Sequence, residues 1–541
     1  MDGFVIGMYI LRSHQVWPEL KKGRQILVIF LSGLLLSACL MVGPNYKEPK
    51  KQLANHWAAV GTHVKETPYH DTLWWNVFHD PSMTELIHVG YLHNLPLQAA
   101  GVQVLQARAT LAQAVGELFP QQQTLIAQYA HQRIGGSSLQ TVLPTSFDTA
   151  LLGVSASWEI DFWGQFRRAI LANDASFLAT YAAYHQTLVN LTADIATSYI
   201  SIRTTEELIL VTKQNIQVQT EGLNIAKARF SAGESSLLDV EQAQTELSST
   251  QATMPTYVSD LQHEKDALAV LLGTTPDHVD PYLTKNHAIP KAPPSVAVGI
   301  PCETLVQRPD IYQSRMQAIA QLEMIGATKA NLYPSLSLTG TFALAANTIP
   351  PGSLSNIFNW NNRTSTSGPS LNWSVLNYGQ ITNAVRAQDA VYQGAVLNYQ
   401  QLVLKAQQEV QDNIAQFVQM KKAESYLLTG NHAAIKSTQL ALVRYREGES
   451  DYTPVLDSER QQLHVQISLT ETQGEIPKAL VGLYRALGGG WRIRNHQDVV
   501  SEQIKFEMAA RTNWGKLLNQ SEHEPALTKQ QEFKERYIPE W

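Results

Sequence analysis

The chain has 541 residues, of which 44% are hydrophobic and 16% are charged, and its formal net charge is −6. Acidic residues outnumber basic ones by 47 to 41, which argues against a general nucleic-acid-binding role. Two cysteines exclude a disulfide scaffold and a multi-cysteine zinc or iron–sulfur site. The sequence has no phosphate-binding loop, no nucleophile elbow and no HExxH motif. We therefore expect no enzyme activity and no metal site.

Residues 1–38 are predicted to be a secretory signal peptide. A basic cluster precedes the apolar run Ile26 to Leu36, which is too short for a comfortable membrane-spanning helix. The run ends in Leu36-Ser37-Ala38-Cys39, which resembles the lipobox of bacterial lipoproteins. That resemblance implies cleavage before Cys39 and lipid attachment to it, with 39–71 as the lipidated N-terminal segment. The alternative is an ordinary buried cysteine at a helix end. The long leader also leaves Met8 as an alternative start.

The chain contains an internal repeat with an offset of about 215 residues. We predict repeat 1 over 72–276, a proline-rich linker over 277–303, repeat 2 over 304–490 and a polar tail over 491–541. The landmarks that match between the repeats are Leu118–Pro120 with Leu332–Pro334, Trp158–Gln165 with Trp373–Gln380, Arg229–Ser235 with Arg444–Ser450, and Leu272–Gly273 with Leu487–Gly488. Several matches at nearly one offset indicate that both halves share one structural plan.

Each repeat is predicted to contain a β-hairpin, over about 121–162 and 335–377. Apolar and small polar residues alternate along Leu151–Asp161 and Ser335–Leu344, which is typical of strands with one apolar face. About ten residues suffice for a tilted strand to cross a bilayer. Four strands cannot close a barrel, so two chains would give about eight strands and three about twelve. The alternative is an ordinary half-buried soluble hairpin.

Long helices follow the hairpins. Residues 165–231 contain no proline and carry an apolar residue every seven positions from Leu188 to Phe230, which predicts one helix of 67 residues with coiled-coil packing. Shorter leading helices are predicted near 82–118 and 304–332, and return helices near 235–272 and 451–487. The alternatives are a fibrous coiled coil and a spectrin-like bundle, against which the interposed strands argue.

The chain resembles the outer-membrane efflux proteins, the TolC-like exit ducts, and within them the lipoprotein branch of the NodT or OprM type. The residues that carry the resemblance are Val42–Pro49 after Cys39, Trp74-Trp75, Phe78–Pro81, Phe119-Pro120, Asp161–Gly164, Arg308–Ile311, Tyr333-Pro334 and Ala486–Trp491. It implies a homotrimer in which a 12-stranded transmembrane β-barrel joins a trimeric α-helical barrel that projects into the periplasm. It also implies docking to a periplasmic adaptor, the membrane fusion protein, and to an inner-membrane efflux pump.

The resemblance further implies a periplasmic gate at the tips of the two helix hairpins, where Gly233 and Gly448 make the turns. In the family, an aspartate after the second turn lines a ring that narrows the closed pore, and Asp457 matches it. A tyrosine before the second turn bonds an aspartate after the first, and Tyr445 and Asp239 match that pair. Where the family often has an arginine, this chain has Ser450. The alternative is that these aspartates are merely solvated near helix starts.

We therefore expect a gated passive channel in the outer membrane that passes drugs or other small molecules from a tripartite system, with no cofactor beyond the lipid on Cys39 and no nucleic-acid partner. One alternative is the outer-membrane channel of a type I protein secretion system. Two others are a stand-alone porin, against which the 67-residue helix argues, and a periplasmic coiled-coil scaffold lipoprotein. Heat-resistant β-rich trimers in detergent would exclude the scaffold.

Overall fold

The computed structural model describes residues 41–49, 54, 56–57, 64–66, 73–135, 144–284, 287–299, 305–494 and 497–518. The predicted signal peptide, Cys39 and the last part of the predicted tail, 519–541, lie outside these residues. Within the described ranges, none of the helices combines the length and the apolar character needed to cross a membrane.

Helices and strands alternate in the same order in both halves of the chain. The strands are β1 Val64–Glu66, β2 Gln122–Arg133, β3 Ser146–Ile160, β4 Val296–Val298, β5 Ser335–Asn347 and β6 Arg363–Asn372. The helices are α1 Pro81–His93, α2 Leu95–Gly116, α3 Gln165–Ser231, α4 Leu237–Leu272, α5 Asp280–Leu283, α6 Pro309–Ala330, α7 Gln380–Arg446, α8 Thr453–Ala486 and α9 Glu502–Arg511.

The prediction of a 67-residue helix is confirmed by α3, and α7 has the same length. Both helices begin directly after a glycine in the left-handed region, Gly164 with φ +81° and Gly379 with φ +82°. A side chain is strained in this region, so glycine suits the sharp change from strand to helix. The predicted heptad residues Leu188, Ile195 and Ile202 are fully buried. The pattern fails at its end, because Phe230 lies in the last turn of α3, outside the apolar cluster of the tip, and is 44% exposed.

The first leading helix was predicted as one helix over 82–118, and that prediction is wrong. The helix is interrupted at Asn94, which separates α1 from α2. The Asn94 side chain accepts a hydrogen bond from the Leu97 amide at 2.8 Å and so caps α2. Pro96 favours a helix start at this point. The amide group of Asn94 also donates to the Leu271 carbonyl oxygen at 2.9 Å, which ties the break to the end of α4.

The two predicted hairpins form one antiparallel sheet with the order β2-β3-β5-β6. The hairpins meet where β3 pairs with β5, with Gly153 opposite Ala343. Strands β2 and β6 are therefore the two edges, one from each repeat. The second hairpin was predicted to extend to about 377, but its last strand ends at Asn372. The next residue, Trp373, donates its indole N–H to the Leu332 carbonyl oxygen at 3.1 Å.

The tryptophans of the repeat landmarks make the same contact in both halves. Trp158 donates to the Leu118 carbonyl oxygen at 3.2 Å, as Trp373 does to Leu332. These bonds join a strand to the end of its leading helix. The repeat that is visible in the sequence therefore corresponds to a repeated junction between sheet and helices.

The described N-terminal segment, the linker and the described part of the C-terminal tail pack around the middle of the helices. Strand β1 of the N-terminal segment pairs in parallel with β4 of the linker. The Trp57 indole donates to the Gly299 carbonyl oxygen at 2.7 Å. A guanidinium nitrogen of Arg108 donates to the Leu517 carbonyl oxygen at 3.2 Å. The principal apolar core lies beside these contacts and includes Trp74 stacked on Tyr484 with ring centroids 5.4 Å apart.

Candidate functional site at the helix-hairpin tips

The two predicted hairpin tips have the same backbone geometry. At the first tip, Gly233 has φ +78°, and the Glu234 amide donates to the Arg229 carbonyl oxygen at 2.9 Å. At the second tip, Gly448 has φ +80°, and the Glu449 amide makes the equivalent bond at 2.8 Å. This is the Schellman arrangement, in which a left-handed glycine ends a helix and the last carbonyl groups find donors. Both turns are therefore defined by backbone hydrogen bonds.

The structure brings Tyr445 and Asp239 together, as the resemblance implies. The Tyr445 hydroxyl donates to Asp239 Oδ2 at 3.1 Å, and the Ser236 hydroxyl donates to Oδ1 at 3.1 Å. Tyr445 is 1% exposed, and its ring packs edge-on against Tyr452 with centroids 5.1 Å apart. Burial raises the pKa of the Tyr445 hydroxyl, so this group remains a neutral donor. A residue before the second turn is thus held by a residue after the first.

Arg229 is a member of this cluster that the sequence argument missed as a site residue. Its guanidinium donates to the Tyr445 carbonyl oxygen and lies over the Tyr445 ring at 4.8 Å. A second nitrogen reaches the Glu234 carbonyl oxygen at 3.4 Å. The matching residue of the other repeat, Arg444, is exposed and pairs only loosely with Glu449 at 3.7 Å. Its place in a repeated Arg-aromatic pair before each tip was the signal available in the sequence.

Asp457 lies apart from this cluster. It is exposed in the second turn of α8, and within the described ranges no hydrogen bond or ion pair joins it to Tyr445 or Asp239. Ser450, which replaces the usual arginine, has a buried hydroxyl with no hydrogen-bond partner among the described residues. The cation next to Tyr445 within one chain is therefore Arg229, which comes from the first hairpin.

The opposite end of the helices holds the segment that follows Cys39. Arg168 of α3 is buried and donates to Glu323 of α6 at 2.6 Å and to the Val42 carbonyl oxygen at 3.2 Å. Gly43 lies so close to Gly326 that a side chain at either position would collide with backbone. The Val42 amide donates to the Trp163 carbonyl oxygen at 3.0 Å. The described start of the chain is thus fixed at the junction of sheet and helices.

Comparison with known proteins places this geometry in a family. The family model of the outer membrane efflux protein matches residues 86–274 and 300–489, which is more than half of the chain. The probable efflux pump outer membrane protein TtgC of Pseudomonas putida is 26% identical over 479 residues, which cover 86% of this chain and 96% of TtgC.

The probable outer membrane lipoprotein SilC of Salmonella typhimurium is 26% identical over 470 residues, which cover 84% of this chain and 97% of SilC. Among solved structures, the outer-membrane channel OprN superposes with a TM-score of 0.78 at 27% identity, covering 84% of this chain and all of OprN. The predicted resemblance is confirmed. The chain belongs to the outer membrane efflux protein family, and it is an outer-membrane protein that serves as the exit duct of an efflux system.

Proposed function

We propose that three copies of this chain form the exit duct, with a shared 12-stranded β-barrel in the outer membrane and a shared helical barrel below it. A periplasmic adaptor docks on the helices, and an inner-membrane pump supplies the energy and the small-molecule cargo. The chain needs no cofactor beyond a lipid on Cys39. The observation that carries this proposal is that, among the described strands of one copy, neither edge of the four-stranded sheet has a partner strand.

Unpaired strand edges cannot face lipid, since each unsatisfied backbone group costs several kcal/mol there. The four strands have 12, 15, 13 and 10 residues, enough for tilted strands to cross a bilayer. Because the order is β2-β3-β5-β6, the β6 edge of one copy is antiparallel to the β2 edge of the next. Two copies would give eight strands with little interior space, whereas three give twelve strands with room for a lumen.

The long helix of the second repeat also supports a shared wall. Only 11 of the 67 residues of α7 are buried within one copy. Its large exposed apolar residues include Val391, Leu397, Leu404, Leu440 and Val443. Exposed large apolar residues on a helix are typical of a surface that packs against a partner. We assign that partner to the neighbouring copy.

The tip cluster suits a gate. Arg229 and Asp239 of the first hairpin hold Tyr445 of the second, and separation of the hairpins would break both contacts. Three copies of exposed Asp457 near one axis would repel each other and attract cations. We propose that the Tyr445–Asp239 pair holds the closed state and that Asp457 forms the narrowest ring.

Lipid on Cys39 would hold the duct at the membrane surface. Cys39 precedes Met41 by two residues, and Met41 packs against Gly164 at the junction between β3 and α3. That junction lies where the membrane strands end, the depth at which an acyl chain enters the bilayer. The contacts of Arg168 with Val42 and Glu323 would keep the lipid at this depth.

The test is the mass and secondary structure of the purified protein in detergent. We expect a heat-resistant trimer whose circular-dichroism spectrum contains both helix and strand, and whose single-channel conductance rises in the double variant Asp457→Ala with Tyr445→Phe. The Cys39→Ser variant serves as the control for lipid. A stable, water-soluble monomer after removal of the lipid would contradict the proposal.

A further inference from the structure

A buried carboxyl group lies between the two helix hairpins, near the tip but away from Asp457. Glu459 of α8 is 2% exposed and faces Gly222 of α3, where a side chain would lie 2.8 Å from Glu459 Oε1. The Tyr452 hydroxyl donates to Glu459 Oε2 at 3.4 Å. Oε1 has no hydrogen-bond partner among the described residues. A buried carboxylate in this position would accept one long hydrogen bond, from Tyr452, where a charge needs several donors.

A second carboxyl group approaches from α4. Glu246 is 8% exposed and pairs with the half-exposed Arg460 at 2.7 Å, so the nearby cation is already occupied. The fourth tip helix, α7, presents the apolar Leu442 at Gly222. Among the described residues, the titratable groups that act on Glu459 are Tyr452 and Glu246, neither of which supplies positive charge.

The contact between α3 and α8 continues as a row of polar groups below Glu459. Gln219 lies one turn before Gly222 and is 2% exposed, yet neither atom of its amide group has a hydrogen-bond partner within the described ranges. One turn closer to the start of α3, the Asn215 amide group donates from Nδ2 to Gln466 Oε1 of α8 at 2.6 Å. Buried polar groups normally have hydrogen-bond partners. The buried side chains of Gln219 and Glu459 therefore indicate that the seam, the contact between α3 and α8, binds a proton or water in addition to the side chains.

We propose that Glu459 is a proton-binding site between the hairpins, and that its protonation state controls how firmly α8 packs on α3. With the proton bound, the neutral carboxyl group fits the buried seam and the hairpins stay together. Without it, a carboxylate is buried beside Glu246, and separation of the hairpins gives it water. This proposal rests on the proposed gate and adds a second, proton-dependent contact to the Tyr445–Asp239 pair.

The direction of the effect follows from the environment of Glu459. Burial first, and the charge of Glu246 second, raise its pKa from 4.5 to about 7. In the open state the carboxyl group is solvated and returns toward its ordinary pKa. Between pH 4.5 and about pH 7, the closed state therefore binds more protons than the open state. The free energy by which this proton favours the closed state has its full value below about pH 4.5 and is lost as the pH rises to about 7.

The test is the open probability of single channels in lipid bilayers between pH 5 and pH 8. The proposed Asp457 ring would respond in the same direction, so the measurement is made in the Asp457→Asn background. There we expect the open probability to rise about tenfold or more from pH 5 to pH 7 and then level off, as linkage to one group per copy predicts. Adding Glu459→Gln should reduce the rise to less than about twofold, because the amide stays neutral throughout.

The matched control is Glu447→Gln, which neutralises an exposed carboxylate at the second tip and should leave the pH profile unchanged. If Asp457→Asn with Glu459→Gln keeps the full pH response, the proposal is wrong. Loss of the response already in Asp457→Asn alone would overturn it as well.

A second readout does not depend on gating. Infrared spectra of the detergent-solubilised protein should show a protonated-carboxyl band that disappears between about pH 6 and pH 8 and is missing in Glu459→Gln. Absence of this band from the parent would overturn the proposal even if the channel conducts. A protein that shows the band but never conducts would instead contradict the proposed function and keep the proton site.

Discussion

The two long helices of the repeats have one plan and two different environments. Both α3 and α7 have 67 residues, begin after a left-handed glycine and end in a Schellman turn. Within one copy, however, 30 residues of α3 are buried and only 11 of α7. Helix α3 packs against α2, α4, α6 and α8, whereas α7 packs mainly on α6 and α8. A duplicated helix can thus keep its length and turns while its surface changes from a core element to an outward face.

The largest effect should come from a charge on the outward face of α7. Leu404→Glu would place an unpaired carboxylate in the proposed interface of each copy, at a cost of about 3 kcal/mol or more per copy. We expect loss of the trimer by native mass spectrometry, with Leu404→Met still trimeric as the control. A trimer that tolerates glutamate would show that this face of α7 meets water rather than a second chain.

The next effect should come from the buried ion pair of α3. Arg168→Met would leave the Glu323 carboxylate buried without its partner and should cost about 3–5 kcal/mol of folding stability. The control is Arg485→Met, which removes a half-exposed pair with Asp194 and should cost about 1 kcal/mol at most. Denaturant unfolding in detergent measures both. If both variants lose the same free energy of unfolding, α3 is not better packed than α7 at the end that contains Arg168.

A smaller effect is expected from glycines in helix interiors. Gly474 of α8 faces α3 so closely that a methyl group would lie 2.3 Å from Thr204 Oγ1, and Gly474→Ala should cost about 1–3 kcal/mol.

Gly394 of α7 has no neighbour within 4 Å in one copy, so Gly394→Ala should stabilise by about 0.5–1 kcal/mol through helix propensity. Thermal unfolding distinguishes the two variants. Destabilisation by Gly394→Ala would indicate that another copy covers this position tightly.

The smallest effect should come from the tip hydrogen bond. Tyr445→Phe removes one bond to Asp239 and should cost about 1 kcal/mol, while Tyr426→Phe, on an exposed part of α7, should cost nothing measurable. The midpoint of unfolding and the closed-state lifetime measure the two consequences. An unchanged lifetime in Tyr445→Phe would remove this pair from the gate.

Local periodicity explains how much of the fold could be predicted. The heptads of 165–231 predict one long helix and the alternation of 335–344 predicts a strand, and both patterns depend only on neighbours along the chain. Both elements are confirmed, although the heptad burial fails at Phe230. The break at Asn94 was missed because a capping side chain and a proline inside an apolar helix pattern are weak signals. The pairing of β3 with β5 could not be predicted from local patterns either, since it joins segments almost 200 residues apart.

The same limit applies to the site. The glycines of the two tips are visible because they follow the repeat, and Tyr445 with Asp239 because they match a family motif. Arg229 also lies in a repeat landmark, but nothing in the sequence shows that it contacts Tyr445, and Glu459 belongs to no repeat or motif. Their importance comes from what faces them across the hairpins, Tyr445 in one case and Gly222 in the other. Burial of a charged residue in a coiled coil is decided by distant partners and not by its own heptad position.

The two sheet edges have a genetic consequence. Because β2 and β6 differ, each seam of the proposed ring joins unlike surfaces, and every copy takes part in two seams. One protomer with a damaged β6 would leave a gap that its two healthy neighbours cannot bridge. In a cell that makes normal and damaged copies together, the damaged allele should therefore act as a dominant negative, and the loss of efflux should exceed the damaged share of the protein.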